Sequence, residues 1–416
     1  MDANGLIAPV NELGYPAPFW FLIFFRVLGF TLHLLPMNLW YAGTLTAMLL
    51  GLSRVPEARR FSARLMSQMP FIIAFGVNLG IVPLLFLQVM GYRVFYSATI
   101  LMAWQWLSVI ALLCLAYYGV YIYAVGLRTV GMDALARWQR ASGWLSALLF
   151  IVIAVIFHSA MLTMAEPGSW PALAAQSGRA AAVYGTAHAL GNAALWTRML
   201  FFLGLAMTTT AAYVAFDGAV LAGRESSEYR SWTRGFAPKF HTFAVLVYAA
   251  GGLLYAAGWE PGLREYMSSG SLLPLNLLTA LGPGLPLLIL WLGRNAPAAG
   301  LWALIAQFLA LGLQAVSRQL MQNQQLAPYL DIASDPLKMQ IGPLVMFLVS
   351  FVAGLGVLGW IIARLVEANR KGVVSGQLAV GSKQNQNEKQ NEEQVCGLSA
   401  DNQFLLILFL QADSGS

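Results

Sequence analysis

Apolar residues in this chain come in unbroken runs of about twenty or more, and the polar positions fall between the runs. Nine runs stand out, at about 19–51, 70–91, 99–127, 141–163, 194–222, 240–259, 272–292, 299–321 and 341–366. Each is long enough to cross the roughly 30 Å of hydrocarbon in a bilayer. Backbone in lipid must satisfy its own hydrogen bonds, so each run predicts a transmembrane helix. The expected fold class is all-α: a polytopic membrane helix bundle of about nine spans, over residues 1–371. Beyond Lys371 the composition changes. The run "GSKQNQNEKQNEEQ" is polar and of low complexity, so 372–416 is expected to be a disordered tail. The later "NQFLLILFLQ" is apolar but too short to span.

Composition agrees with the pattern. Of the 416 residues, 58% are hydrophobic and 10% charged, where a soluble domain carries about 25% charged residues. Mean hydropathy is +0.65. Lipid is therefore the expected solvent, and the net charge of +6 does not argue for nucleic acid. The basic residues instead alternate by loop. Arg54, Arg59, Arg60, Arg64, Arg128, Arg137, Arg140, Arg224, Arg230, Arg234, Lys239, Arg294, Arg364, Arg370 and Lys371 fall on one side, and Arg93, Arg179, Arg264 and Lys338 on the other. By the positive-inside rule the N-terminus is expected outside and the C-terminus in the cytoplasm of a bacterial-type inner membrane. The first 18 residues hold no lysine or arginine, so no signal-peptide n-region precedes the first run, which is expected to persist as a helix. The two cysteines, Cys114 and Cys396, exclude a disulfide framework, a CxxC zinc site and a CxxCH heme attachment.

Ionisable residues inside a membrane are costly and are functional candidates by default. They are few here: Arg26 and His33 in the first run, His158 in the fourth, His188 and Arg198 around the start of the fifth, and Arg318 in the eighth. All fall toward the outer half. His241 lies at the cytoplasmic start of the sixth run, beside Lys239. Neutral imidazole is a common axial ligand of b-type heme, and nearby arginines would pair with propionates or quinol oxygens. The plainer reading is that each histidine hydrogen-bonds a neighbour. Pro36, three residues after His33, is expected to free a carbonyl and bend the first helix. Tryptophans near span ends, such as Trp20, Trp104, Trp106 and Trp196, read as an aromatic belt. No Asp or Glu falls near the middle of any run, which gives no support to a carboxylate proton relay there.

The phrases "HLLPMNLWYAG" at His33, "FGVNLGIVPLLFLQVMGYRVFY" from Phe75, "ILMAWQW" at Ile100–Trp106, "SRQL" at Arg318 and Gln319, and "GPLVMFLVSFVAGLGVLGWIIARLVEA" at the ninth run resemble subunit I of the cytochrome bd quinol oxidases. That resemblance covers about 19–370 and implies nine helices, with an outside N-terminus. It implies that His33 ligates a b-type heme and that Arg318 and Gln319 lie near propionates or quinone. It does not extend to the oxygen-reducing site. The family's carboxylates there correspond to Thr99, Leu107 and Ala315, and its low-spin heme histidine falls near Met199 and Phe201, with His188 earlier in the chain. The long outer loop of the quinol site is also missing between the sixth and seventh runs. The expected function is thus a membrane electron-transfer subunit that binds b-type heme at His33, or at His158 and His188. It would pass electrons between membrane quinol and a c-type cytochrome or second membrane subunit, without reducing oxygen. A heme-free structural or assembly subunit is the alternative. An active quinol oxidase subunit or a secondary transporter comes after it.

Overall fold

The structure, a computed structural model, describes residues 3–177, 184–357, 359–360 and 363–364. The described residues fall into two units, divided between Gln340 and Ile341. The described residues are an all-α membrane bundle. In the first unit seven helices are long and apolar enough to cross a bilayer: α1 (Phe19–Leu50), α2 (Pro56–Met90), α4 (Ala103–Thr129), α5 (Arg137–Ala165), α7 (Ala193–Leu221), α8 (Ser227–Ala257) and α12 (Ala299–Leu326). An eighth span is broken, with α10 (Leu273–Leu281) and α11 (Gly284–Leu292) meeting at 43°. Short helices α3 (Tyr92–Leu101), α6 (Trp170–Ser177) and α9 (Pro261–Met267) cover the ends. In the second unit, α13 (Ile341–Val357) is an apolar helix at the ninth run. Most of that run beyond 357, and the tail 372–416, lie outside the described residues.

Several spans depart from their apolar limits for local reasons. Helix α2 begins fourteen residues before its apolar run, because Pro56 takes the first helical position and Glu57 the first turn. Thirty-five residues give it about 50 Å of length, well beyond the hydrocarbon. Arg59, Arg60 and Arg64 are therefore helical, not loop, residues. Helix α8 likewise starts at Ser227, where the Ser226 side chain accepts from the Tyr229 amide at 3.2 Å. The third run is divided at Met102, so Thr99 belongs to α3 and the span proper starts at Ala103. Inside α1, a π-turn over Leu39–Gly43 follows Pro36. The break between α10 and α11 at Gly282 and Pro283 exposes a carbonyl in an apolar setting. His241, fully buried on α8, turns Nε2 to the Pro283 carbonyl at 3.0 Å. This gives His241 a structural role at the break.

Helix α7 is the axis of the bundle. In its most apolar window 72% is buried, against 28–50% for the other long helices. Small residues allow this close packing. A Cβ on Gly204 would lie 2.3 Å from the Tyr248 amide nitrogen, and one on Gly251 would lie 2.4 Å from that of Phe201. The backbones of α7 and α8 therefore touch, and α12 approaches α7 through Gly300 against the Ala215 carbonyl. Gly204→Ala is expected to lower stability by about 1–3 kcal/mol through overpacking. Gly191→Ala, which meets nothing within 4 Å, should have little effect. The thermal midpoints of the two detergent-purified variants check this difference.

Candidate functional site

Three arginines converge at one end of the bundle. Arg26 comes from α1, Arg198 from the start of α7 and Arg318 from the second half of α12. Arg26 and Arg198 are only 5% and 8% exposed, so their charges are truly inside the protein. Arg318 lies within electrostatic reach of both. Their contacts are neutral. Arg26 Nη2 donates to Gln322 Oε1 at 2.6 Å. The Arg318 guanidinium covers the Phe30 ring at 4.4 Å, and that of Arg198 stands over Phe202 at 5.8 Å. Among the described residues, no carboxylate forms an ion pair with any of the three. A buried guanidinium without a counter-ion is expensive, and three together give the site a positive potential suited to an anion or to electron-rich oxygens.

His158 on α5 faces this cluster. Its ring sits edge-on to Phe202 at 5.0 Å, with the charges of Arg198 and Arg318 close by. Nδ1 lies 3.0 Å from the Ala154 carbonyl one turn back. A carbonyl only accepts, so Nδ1 carries the proton and Nε2 is left with its lone pair. Nε2 is buried with no hydrogen-bond partner. This is the arrangement in which imidazole ligates a metal: one nitrogen held by a carbonyl, the other offered.

The remaining candidates fall into different settings. His188 is in the loop before α7, and its Nδ1 is also buried without a partner. The next residue donates from the Ala189 amide to Ser159 Oγ at 3.2 Å, so the loop lies against the His158 turn. His33 places Nδ1 2.8 Å from the Gly76 carbonyl. Its ring lies over Gly80, where a Cβ would come within 2.7 Å, and Trp40 occupies the gap at Gly76. The two glycines of "GVNLG" on α2 thus make room for these rings. No hydrogen bond or ring contact joins His33 to His158. Gln319, 5% exposed, donates from Nε2 to Asn323 Oδ1 at 2.7 Å, pointing along α12 while its neighbour Arg318 turns to α1. Thr99 bonds back to the Phe95 carbonyl, Ala315 is buried, and Leu107 is 59% exposed.

Some polar groups escape a search for ionisable residues. Gln307, Gln314, Arg318 and Gln322 recur at intervals of seven, four and four, which puts them on one face of α12. That spacing is visible in the sequence. Gln307 Nε2 donates to Thr208 Oγ1 at 2.9 Å, and Asn38 Nδ2 donates to Thr209 Oγ1 at 2.9 Å, tying α1, α7 and α12 together in mid-bundle. Glu166, just past α5, accepts from Asn192 Nδ2 at 3.4 Å. Burial pushes its carboxyl up from the usual range, with Arg198 opposing the shift. It lies within electrostatic reach of Arg198, and of Glu260 as well.

The groups of this site that would hold a heme are His158 Nε2 and the three arginines. His158 Nε2 offers a lone pair, and the arginines lack anions that propionates would supply. No family model matches this chain, and no curated protein matches it.

Proposed function

We propose that the chain is a membrane-embedded electron-transfer subunit that holds a b-type heme at the His158 end of the bundle. The orphaned, buried Nε2 of His158 carries this reading. His188 and His33 are the further candidate ligands. Heme supplies a one-electron couple when bound. The chain's own contribution is orientation, charge and a proton. The Ala154 carbonyl fixes the His158 tautomer, Arg26, Arg198 and Arg318 hold anionic oxygens, and Phe30 and Phe202 shield the site from water. The positive field favours the electron-rich form of any redox group placed there. Glu166, with its raised carboxyl, is positioned to take a proton at this end of the bundle. Membrane quinol is the proposed donor in a bacterial-type inner membrane, and a c-type cytochrome or second subunit on the outer face is the proposed partner.

Quinol added to air-oxidised purified protein is expected to produce a b-type difference spectrum without cyanide-insensitive oxygen uptake. By the resemblance to the quinol oxidases, the positions of their oxygen-site carboxylates are Thr99, Leu107 and Ala315 here. Sustained oxygen consumption beyond quinol autoxidation, or a chlorin band, would contradict this. The second reading is a heme-free subunit that keeps the fold. His33 favours it, because a ring bonded to Gly76 and packed on Gly80 has the surroundings of an ordinary core histidine.

A further inference from the structure

The arginine-rich face of the bundle, opposite in charge pattern to the other loops, holds two cavities with very different electrostatics. The larger, about 490 Å³, is bordered by Arg59, Arg60 and Arg64. Each of these is already paired: Arg59 with Asp133, Arg60 with Glu225 at 2.7 Å, and Arg64 with Asp217 at 2.7 Å and Glu225 at 2.8 Å. Its charge is balanced from within.

The smaller cavity, about 220 Å³, opens between the end of α7, the start of α8 and the join of α11 to α12. Three arginines border it, Arg230, Arg234 and Arg294, and no lining residue is acidic. The nearby carboxylates Asp217 and Glu225 are held by Arg64 and Arg60. Arg230 is pinned in place, with Nη1 donating to the Glu225 carbonyl at 2.8 Å. Among the described residues, Arg234 uses only Nε, toward the Arg230 carbonyl at 3.2 Å. Arg294 has no protein hydrogen bond among the described residues, and its Nη2 lies over Gly235, beside Arg234. The remaining wall is apolar, formed by residues such as Leu290, Pro238 and Pro297. Trp291 and Leu292 are exposed next to Leu290, so the arginine rim sits where a lipid-facing surface ends.

We propose that this cleft binds a phosphate-bearing anion, and that its occupant in the membrane is an anionic phospholipid headgroup. Guanidinium groups pair with phosphate oxygens through paired N–H donors. Two of the three rim arginines have such donors unused, and the apolar wall suits the glycerol and upper acyl part of a lipid. The volume equals that of about seven waters at roughly 30 Å³ each, room for one headgroup phosphate. Basic pockets on the cytoplasmic side of helix bundles attract anionic lipid in this way.

The test uses the full chain in detergent, with native mass spectrometry after titration with phosphatidylglycerol or phosphatidylcholine, and a thermal-shift arm with inorganic phosphate. Phosphatidylglycerol is expected to give one saturable adduct that phosphatidylcholine does not. Arg234→Gln with Arg294→Gln should weaken it by about 25-fold, roughly fivefold for each charge removed. Both side chains are exposed, so folding is not at risk, and the double lysine variant, which keeps the charge but not the paired donors, should recover only part of the binding. If inorganic phosphate stabilises the protein through the same arginines and the lipid gives no adduct, the anion site stands and its lipid source is overturned. Equal retention of both lipids, or an adduct indifferent to the double variant, with no phosphate effect, would overturn the site.

Discussion

His158→Ala is expected to abolish, or reduce at least tenfold, a b-type absorbance band in the purified protein while the helix bundle still inserts. The reason lies in what the ring does not do. Its Nε2 has no protein partner, so truncation removes no hydrogen bond on that side and costs the Nδ1 contact to Ala154 and the edge-on packing against Phe202. A net hydrogen bond is worth about 0.5–1.5 kcal/mol, and alanine favours the helix. Stability should therefore fall by no more than about 1–3 kcal/mol. A heme ligand behaves otherwise: loss of the axial nitrogen empties or shifts the spectrum even when the fold survives. His33→Ala separates the two candidate centres. If His33 is a core histidine, its loss opens space between α1 and α2, lowers the thermal midpoint and leaves the band unchanged.

Arg64→Leu is expected to be the most destabilising single charge deletion at the opposite face, by about 3–5 kcal/mol. Asp217 is 1% exposed, and Arg64 meets it through Nε at 3.0 Å and Nη2 at 2.7 Å. The Tyr229 hydroxyl donates to the same carboxylate at 2.5 Å. Removing Arg64 leaves a buried carboxylate with a single neutral donor. Asp217→Leu should cost less, because Arg64 keeps Glu225 at 2.8 Å. The double leucine variant should recover part of the loss, since replacing both partners avoids an unpaired charge. Detergent-solubilised thermal midpoints measure all three. The pH dependence has a definite sign. Arg60, with Arg64 behind it, holds the Glu225 carboxyl below the usual carboxylate range. A depressed carboxylate stabilises the fold above its unfolded pKa, and that contribution is lost as pH falls through the folded value. The network should therefore weaken in acid below the ordinary carboxylate range and be complete at neutral pH.

The long helices were legible because twenty apolar residues have few alternatives in lipid: six of the nine runs lie in single long helices, and the third does so from Ala103 onward. Their true limits were not. Apolarity marks the hydrocarbon, whereas a helix continues as long as its backbone bonds do, which is why the arginines of "PEARRFSAR" lie on α2. The break at Gly282 and Pro283 was encoded in two residues that a hydropathy window averages away. At the candidate site, Arg26, His158, Arg198 and Arg318 stand out in sequence as misplaced polar groups. Their convergence does not, since it arises from the crossing of α1, α5, α7 and α12. The stripe of Gln307, Gln314, Arg318 and Gln322 was readable by period, but neutral amides attract less notice than charges. Which nitrogen is left without a partner depends on the Ala154 carbonyl at His158 and the Pro283 carbonyl at His241, and only the folded geometry supplies that.

The proposed heme at His158 is open to direct measurement. Pyridine hemochrome analysis of the purified full-length protein measures it directly, with heme expressed per chain. At least one b-type heme per chain is expected, and it should be lost in His158→Ala. A well-folded wild-type protein with no heme after expression in a heme-replete host would contradict the claim and leave the heme-free reading.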